Sequence, residues 1–249
     1  MHFAHSRTGV HSSVFAARYL LAAIGALCLP VPAWGTAFWF TSDAADPGPG
    51  PSTLNVTLCG DIASMPTVPL YLWGAVDPGE ILVNWSLSLY ADDSAVIDFS
   101  DVEIYNPPGG KAPRYEYVFD SSPSSVTALS FQTSPVDRID GMQAFTIDPA
   151  NGEGADAVTP DASYAGGDAW LFATVLLTPV ATGSTDLYLE IGPRGLNNYG
   201  ESASLQTVTL GQDSDVAYSA YQTTTIPGDT ADVQISLLGG AGDFDLDGD

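Results

Sequence analysis

Val83-Asn84-Trp85-Ser86-Leu87-Ser88-Leu89 is the stretch that decides the fold class. Val83, Trp85, Leu87 and Leu89 fall on one side of an extended chain. Asn84, Ser86, Ser88 and the following Tyr90 fall on the other. A period of two, apolar against polar, belongs to a half-buried antiparallel strand. Upstream the pattern recurs in Leu54-Asn55-Val56-Thr57-Leu58 and over Leu70 to Trp73. Downstream, strands are expected at Val96 to Phe99, Val102 to Tyr105, Tyr115 to Phe119, Val126 to Phe131 and Gln143 to Ile147. Further ones are expected at Trp170 to Leu177, Asp186 to Ile191, Leu205 to Leu210 and Asp232 to Leu237. The breaks carry turn chemistry, as in Asp77-Pro78-Gly79, Asn106-Pro107-Pro108-Gly109-Gly110 and Ile226-Pro227-Gly228. No window shows a long apolar stripe of helical period, and no internal repeat appears. Many short strands at this spacing predict an all-β, antiparallel β-sandwich or jelly roll over residues 53–237.

Residues 1–35 read as a secretory signal peptide. Arg7 and Arg18 precede an apolar run from Tyr19 to Leu29, and Ala33 and Gly35 supply the small residues of a cleavage site. The run is shorter than the ~20 residues that span a bilayer, so no stable membrane insertion is expected after cleavage. Cys28 does not fit a lipoprotein signal, because Leu27 stands where a small residue is needed. The exported chain is expected outside the cell or on its surface.

The whole chain carries a net charge of −24, and losing Arg7 and Arg18, with no acid before Asp43, takes it to −26. Lys111, Arg114, Arg138 and Arg194 are the cations that remain. Nucleic acid is therefore excluded as a partner, since that affinity rests on cationic side chains neutralising phosphates. His2, His5 and His11 all lie in the signal segment, so the exported part has no imidazole. That removes Ser-His-Asp and Cys-His nucleophiles and histidine-bound zinc. Cys59 is the one cysteine left and can form no internal disulfide; its apolar surroundings in sequence suggest a buried thiol.

Thr36–Ser52, with its acidic Pro/Gly run at residues 43–52, is expected to be a loose leader. Residues 148–168 form a long acidic stretch, expected as a mobile surface loop.

Two stretches resemble the cohesin-type module and related carbohydrate-binding sandwiches of extracellular bacterial proteins. One runs from Asn84 to Phe99, where a strand leads through Ala91-Asp92-Asp93-Ser94 into a second apolar strand. The other is Trp170 to Leu177, followed by Ala181-Thr182-Gly183-Ser184 and Leu187-Tyr188-Leu189. The resemblance implies a cohesin-like sandwich. The tail, residues 238–249, resembles a linker and the start of a dockerin-type calcium loop. Asp243, Asp245 and Asp247 fall at loop positions one, three and five, Gly248 at six, and Asp249 at seven. The family loop also needs a carboxylate near position twelve and a following helix. This partial loop is therefore expected to hold calcium weakly.

No catalytic residue is nominated. A glycosidase needs only two carboxylates, but thirty acidic residues single out no pair. Aromatic residues are the better clue to binding, because sugars stack on exposed rings. Tyr71 and Trp73 share one strand face and Tyr115 and Tyr117 another; these four are the ligand-binding candidates. Tyr90, Tyr188 and Tyr199 are expected to point outward or lie in loops. The expectation is a secreted, non-catalytic binding or display module associated with extracellular polysaccharide or its degradation. The alternatives are a scaffolding surface protein that binds another protein and, third, a glycoside hydrolase.

Overall fold

A computed structural model describes residues 36–76, 80–104, 126–127, 130–131, 138–145, 160–192, 197–199, 206–219 and 223–240. Residues 1–35, expected as a signal peptide, and Tyr115, Tyr117 and the tail aspartates lie outside them. The described residues all belong to one compact unit.

The strands run β1 (Ala37–Thr41), β2 (Leu54–Gly60), β3 (Val68–Ala75), β4 (Ile81–Ala91), β5 (Ile97–Ile104), β6 (Val126–Thr127), β7 (Ser130–Phe131) and β8 (Arg138–Phe145). They continue as β9 (Ala162–Tyr164), β10 (Gly167–Pro179), β11 (Gly183–Ile191), β12 (Asn197–Tyr199), β13 (Gln206–Leu210), β14 (Asp213–Tyr218), β15 (Ile226–Pro227) and β16 (Val233–Gly239). A seven-stranded sheet has the order β14-β13-β1-β3-β10-β5, with β9 beside β10. A nine-stranded sheet has the order β2-β16-β11-β4-β8-β6, with β12, β15 and β7 paired at its margins.

The all-β sandwich stands, but the sheets are mixed rather than purely antiparallel. β1 pairs parallel with β13, and β2 pairs parallel with β16. Both pairings join strands far apart in sequence, so no hairpin fixes their direction.

The main core lies between the sheets. Phe38, Leu72, Trp85, Leu87, Phe99, Phe172, Leu189 and Ile235 all belong to it, and Trp85 stacks on Phe172 with centroids 5.6 Å apart. Three strands change phase on their way through. Leu82 faces this core, yet so do Trp85, Leu87 and Leu89, and the flip falls where β4 carries one extra residue, Val83, against β12. Leu82 thus takes the place expected for Val83. Ile97 and Phe99 give way to Val102 across a bulge at Ser100, so the two strands expected here are one. On β10, Trp170 and Phe172 give way to Ala173 and Val175 across a bulge at Phe172. An extra residue turns the chain over and restores apolar side chains to the core.

β1 lies within the segment expected as a leader. Ala-Phe-Trp-Phe-Thr is buried on both faces, so no alternation betrays it. Phe38 and Phe40 enter the main core, and Ala37 and Trp39 join Trp73, Ala75, Ala169 and Leu171 in a second cluster on the outer face of the seven-stranded sheet. The Asp43–Ser52 stretch covers that cluster: the Trp39 indole N–H donates to the Pro47 carbonyl at 2.7 Å, and Tyr164 packs on Trp39 with centroids 5.0 Å apart. Tyr164 sits on β9, so residues 160–168 belong to a hairpin rather than to a loop, anchored by Asp161 accepting from the Leu171 N–H at 2.8 Å.

Candidate functional site

Among the described residues, the outer face of the nine-stranded sheet brings aromatic and charged side chains together across neighbouring strands. Side chains that the alternation sends outward meet there across strands about 4.8 Å apart. Tyr188 on β11 lies opposite Tyr90 on β4, and Tyr90 lies opposite Arg138 on β8. The two phenol rings stack, 5.0 Å apart and 13° from parallel, and the Arg138 guanidinium lies 5.6 Å from the Tyr90 centroid. Tyr90 is therefore held between a ring and a cation.

The charge of Arg138 is closed off within the sheet. It donates from Nε to Asp140 at 2.6 Å and from Nη2 to Glu190, whose side chain is 8% exposed. Burial lowers the guanidinium pKa, and the bonds and charges of Glu190 and Asp140 more than reverse this, leaving it above the ordinary arginine value. Burial and then the Glu190 charge raise the Tyr90 phenol. Burial and the carboxylates of Asp186, Asp92 and Asp232 raise that of Tyr188. The potential at Tyr188 is thus negative, and the potential at Tyr90 is offset by Arg138.

Asp92 fixes this region in place. Its Oδ1 accepts from the Thr185 hydroxyl at 2.9 Å and the Asp186 N–H at 2.8 Å. Asp93 accepts from the Ala95 N–H at 2.9 Å. The aspartate turn between β4 and β5 therefore clamps the start of β11 and sets the height of Tyr188.

On the far side of Tyr188 from Tyr90 a groove opens. Asn55 on β2, Gln234 on β16 and Asp186 on β11 stand at one level, in register across three neighbouring strands. Together with Tyr188, Asp229 and Thr230 they line a cavity of about 460 Å³. Below it, Asp232 is wholly buried. Its Oδ2 accepts the Leu189 N–H at 2.5 Å, while Oδ1 has no hydrogen-bond partner among the described residues. Burial pushes its carboxyl up to about 8, against the lowering by the Leu189 N–H and with a further rise from Asp213. Gly211, at φ +52°, faces that carboxylate, and a Cβ there would strike Oδ1.

The residues nominated from sequence fall elsewhere. Tyr71 and Trp73 do share a face, but it is the covered outer face of the seven-stranded sheet. Trp73 is 0% exposed and donates its indole N–H to Thr41 Oγ1 at 3.0 Å, and Tyr71 packs at the edge of the same cluster. Trp73 has no open face for a ligand, because Asp43–Ser52 and β9 roof its sheet. Tyr115, Tyr117, Asp243, Asp245, Asp247 and Asp249 lie outside the described residues. Among the described residues no three His, Cys, Asp or Glu side chains converge as a metal site. Cys59 is exposed rather than buried, since Leu54, Val56 and Leu58 take the inward positions of β2. Tyr90 and Tyr188 do point outward. Their partnership with Arg138, Glu190, Asn55 and Gln234 depends on strand order, which alternation does not reveal.

No helix among the described residues is long and apolar enough to cross a membrane. No family model matches the chain, and no curated protein does. Solved structures do resemble it. CaCohA2 of Clostridium acetobutylicum is 13% identical, with TM-score 0.39, over 82% of this chain and 92% of that one. The seventh ScaB type I cohesin of Pseudobacteroides cellulosolvens is 12% identical, with TM-score 0.37, over 83% and 94%. A type I cohesin–dockerin complex from Clostridium thermocellum contains a chain 8% identical, with TM-score 0.39, over 82% and 99%.

Proposed function

We propose that this chain is an exported, non-catalytic binding module that engages an extracellular protein partner through the outer face of its nine-stranded sheet. The observation that carries the reading is the cross-strand row Tyr188–Tyr90–Arg138, with Glu190 and Asp140 closing the arginine. Tyr and Arg held rigidly at the centre of a polar surface are the residue types that concentrate binding energy in protein interfaces, because little side-chain entropy remains to be lost. The Clostridium thermocellum structure is itself a protein–protein complex. For this chain the partner is proposed on the strength of the sheet face alone. Export from residues 1–35 and weak calcium binding by Asp243, Asp245, Asp247 and Asp249 belong to the same proposal.

The expected sugar platform at Tyr71 and Trp73 does not support the polysaccharide reading at that place, since Trp73 is sealed. Tyr90 cannot serve there either, with Tyr188 on one face and Arg138 on the other. The test uses the immobilised chain and extracellular proteins of the cells that produce it. A discrete protein retained by the wild type and lost with Arg138→Glu or Tyr188→Ala supports the reading; retention unchanged by both variants overturns it. Sustained release of reducing ends from polysaccharide would overturn the non-catalytic part.

A further inference from the structure

We infer that the outer edge of β2 pairs with β2 of a second copy of this chain, antiparallel about a two-fold axis at Thr57. The inference goes beyond the protein-binding reading and uses none of the residues in the Tyr188–Tyr90–Arg138 row. β2 ends the nine-stranded sheet, and among the described residues no strand pairs with its far side. The Leu54 N–H donates to the Asp232 carbonyl at 2.9 Å, which fixes the direction of each peptide group along β2. Leu54, Val56 and Leu58 turn their backbone groups toward β16. Asn55, Thr57 and Cys59 therefore present N–H and C=O to the open edge.

The sheet edges of this molecule are not alike. β5 bears Asp98, Asp101 and Glu103, β14 bears Asp213 and Asp215, and β6 is two residues long. Charge and brevity both keep a further strand away. β2 runs for seven residues, Leu54–Gly60, without a charge or a proline, in a chain of thirty acidic residues. An uncharged edge of that length is a template for strand addition. A second copy fits it, because the strand is self-complementary about Thr57. With the axis there, Asn55 faces Cys59 of the second copy, Val56 faces Leu58, and Thr57 faces its own counterpart. Each facing pair drawn from Asn55, Thr57 and Cys59 exchanges both backbone hydrogen bonds. Val56 and Leu58 are half-buried against the main core, and their apposition across the axis continues it. On the outer face, Ser184, Ser236 and Thr57 stand in register across β11, β16 and β2, with the two serine hydroxyls 3.3 Å apart. Thr57 against Thr57 carries that hydroxyl row into the second copy. One strand pair is a small interface between chains of net charge −24, so the dimer is weak and strengthens with salt.

Sedimentation equilibrium of the exported chain from about 10 µM to about 1 mM, at low and high salt, tests this. The mass should rise from monomer toward dimer, and further at high salt. Thr57→Pro removes an N–H that points away from the sheet, so the monomer keeps its ladder bonds and its circular dichroism. It should weaken dimerisation roughly tenfold or more. Thr57→Lys, which sets two like charges on the axis, should do the same. Asn55→Cys should cross-link to Cys59 of the second copy on mild oxidation, since facing Cα atoms lie about 5.5 Å apart. Wild-type Cys59 should not cross-link, being about 13 Å along the strand from its counterpart. A monomer at every concentration and salt, or a dimer untouched by Thr57→Pro and Thr57→Lys, overturns the inference. Wild-type cross-linking as fast as that of Asn55→Cys overturns it too, because the axis would then lie elsewhere. None of these results bears on the protein-capture experiment, where Arg138 and Tyr188 are the discriminating residues.

Discussion

Replacing Asp232 by Asn should make the sandwich more stable at neutral and alkaline pH, by an amount that grows with pH. Asp232 is wholly buried where the chain enters β16, and its carboxyl is pushed up to about 8 by burial. In the unfolded chain the same group titrates near 3.8. Below the unfolded value it is protonated in both states and exerts no pH dependence. Between there and about 8 the folded chain holds a proton that the unfolded chain has released, so stability falls as pH rises. Above about 8 both states are ionised and the loss levels off. At about 1.4 kcal/mol for each pH unit crossed, this one carboxyl removes on the order of 4 kcal/mol between pH 3 and pH 7. Asn keeps an oxygen for the Leu189 N–H and never ionises. Its NH₂ also needs an acceptor, which offsets part of the gain, leaving roughly 2–3 kcal/mol at pH 8. Urea unfolding of both proteins from pH 4 to pH 9 measures this directly, because the remaining carboxylates are common to both and cancel in the difference. The Asn variant should be the less stable near pH 4, the two stability curves should cross near pH 6, and its advantage should grow until about pH 8. Parallel curves would refute the reasoning, since the buried carboxyl would then titrate as an ordinary one.

Three further outcomes test the packing. Gly74→Ala should cost about 1–3 kcal/mol in denaturant melts, because a Cβ there strikes the Phe172 ring in a filled core. Thr41→Val should cost about 1–3 kcal/mol by leaving the buried Trp73 indole N–H without its acceptor, and Thr41→Ser should restore most of it. Arg138→Met should destabilise by roughly 1–2 kcal/mol, less than for a fully buried pair because Arg138 is partly exposed, and adding Glu190→Gln should recover part of the loss.

The sequence reveals the fold at the level of individual strands and hides it at the level of their order. Leu54, Val56 and Leu58 alternate inward as expected, and the same parity already puts Cys59 outside. The bulges were present as parity slips: Ile97 and Phe99 are odd-numbered and Val102 is even, which requires one extra residue between them. β1 left no such trace, because a strand covered on both faces is uniformly apolar and short. Trp73 shows the limit for the site. Its strand face was legible, but the roof formed by residues 43–52 is a long-range contact that no local pattern records. Tyr90 and Tyr188 are ninety-eight positions apart, and only the pairing of β4 with β11 stacks them.

The central claim is that binding occurs on the Tyr188–Tyr90–Arg138 face. ¹³C–¹H spectra of the aromatic rings, recorded with and without the captured protein partner, test it most directly. The Tyr90 and Tyr188 ring signals should shift or broaden on complex formation while those of Tyr71, Trp39 and Trp73 stay in place. Movement of the Tyr71, Trp39 or Trp73 signals with Tyr90 and Tyr188 unchanged would put the interface on the opposite sheet and contradict the account.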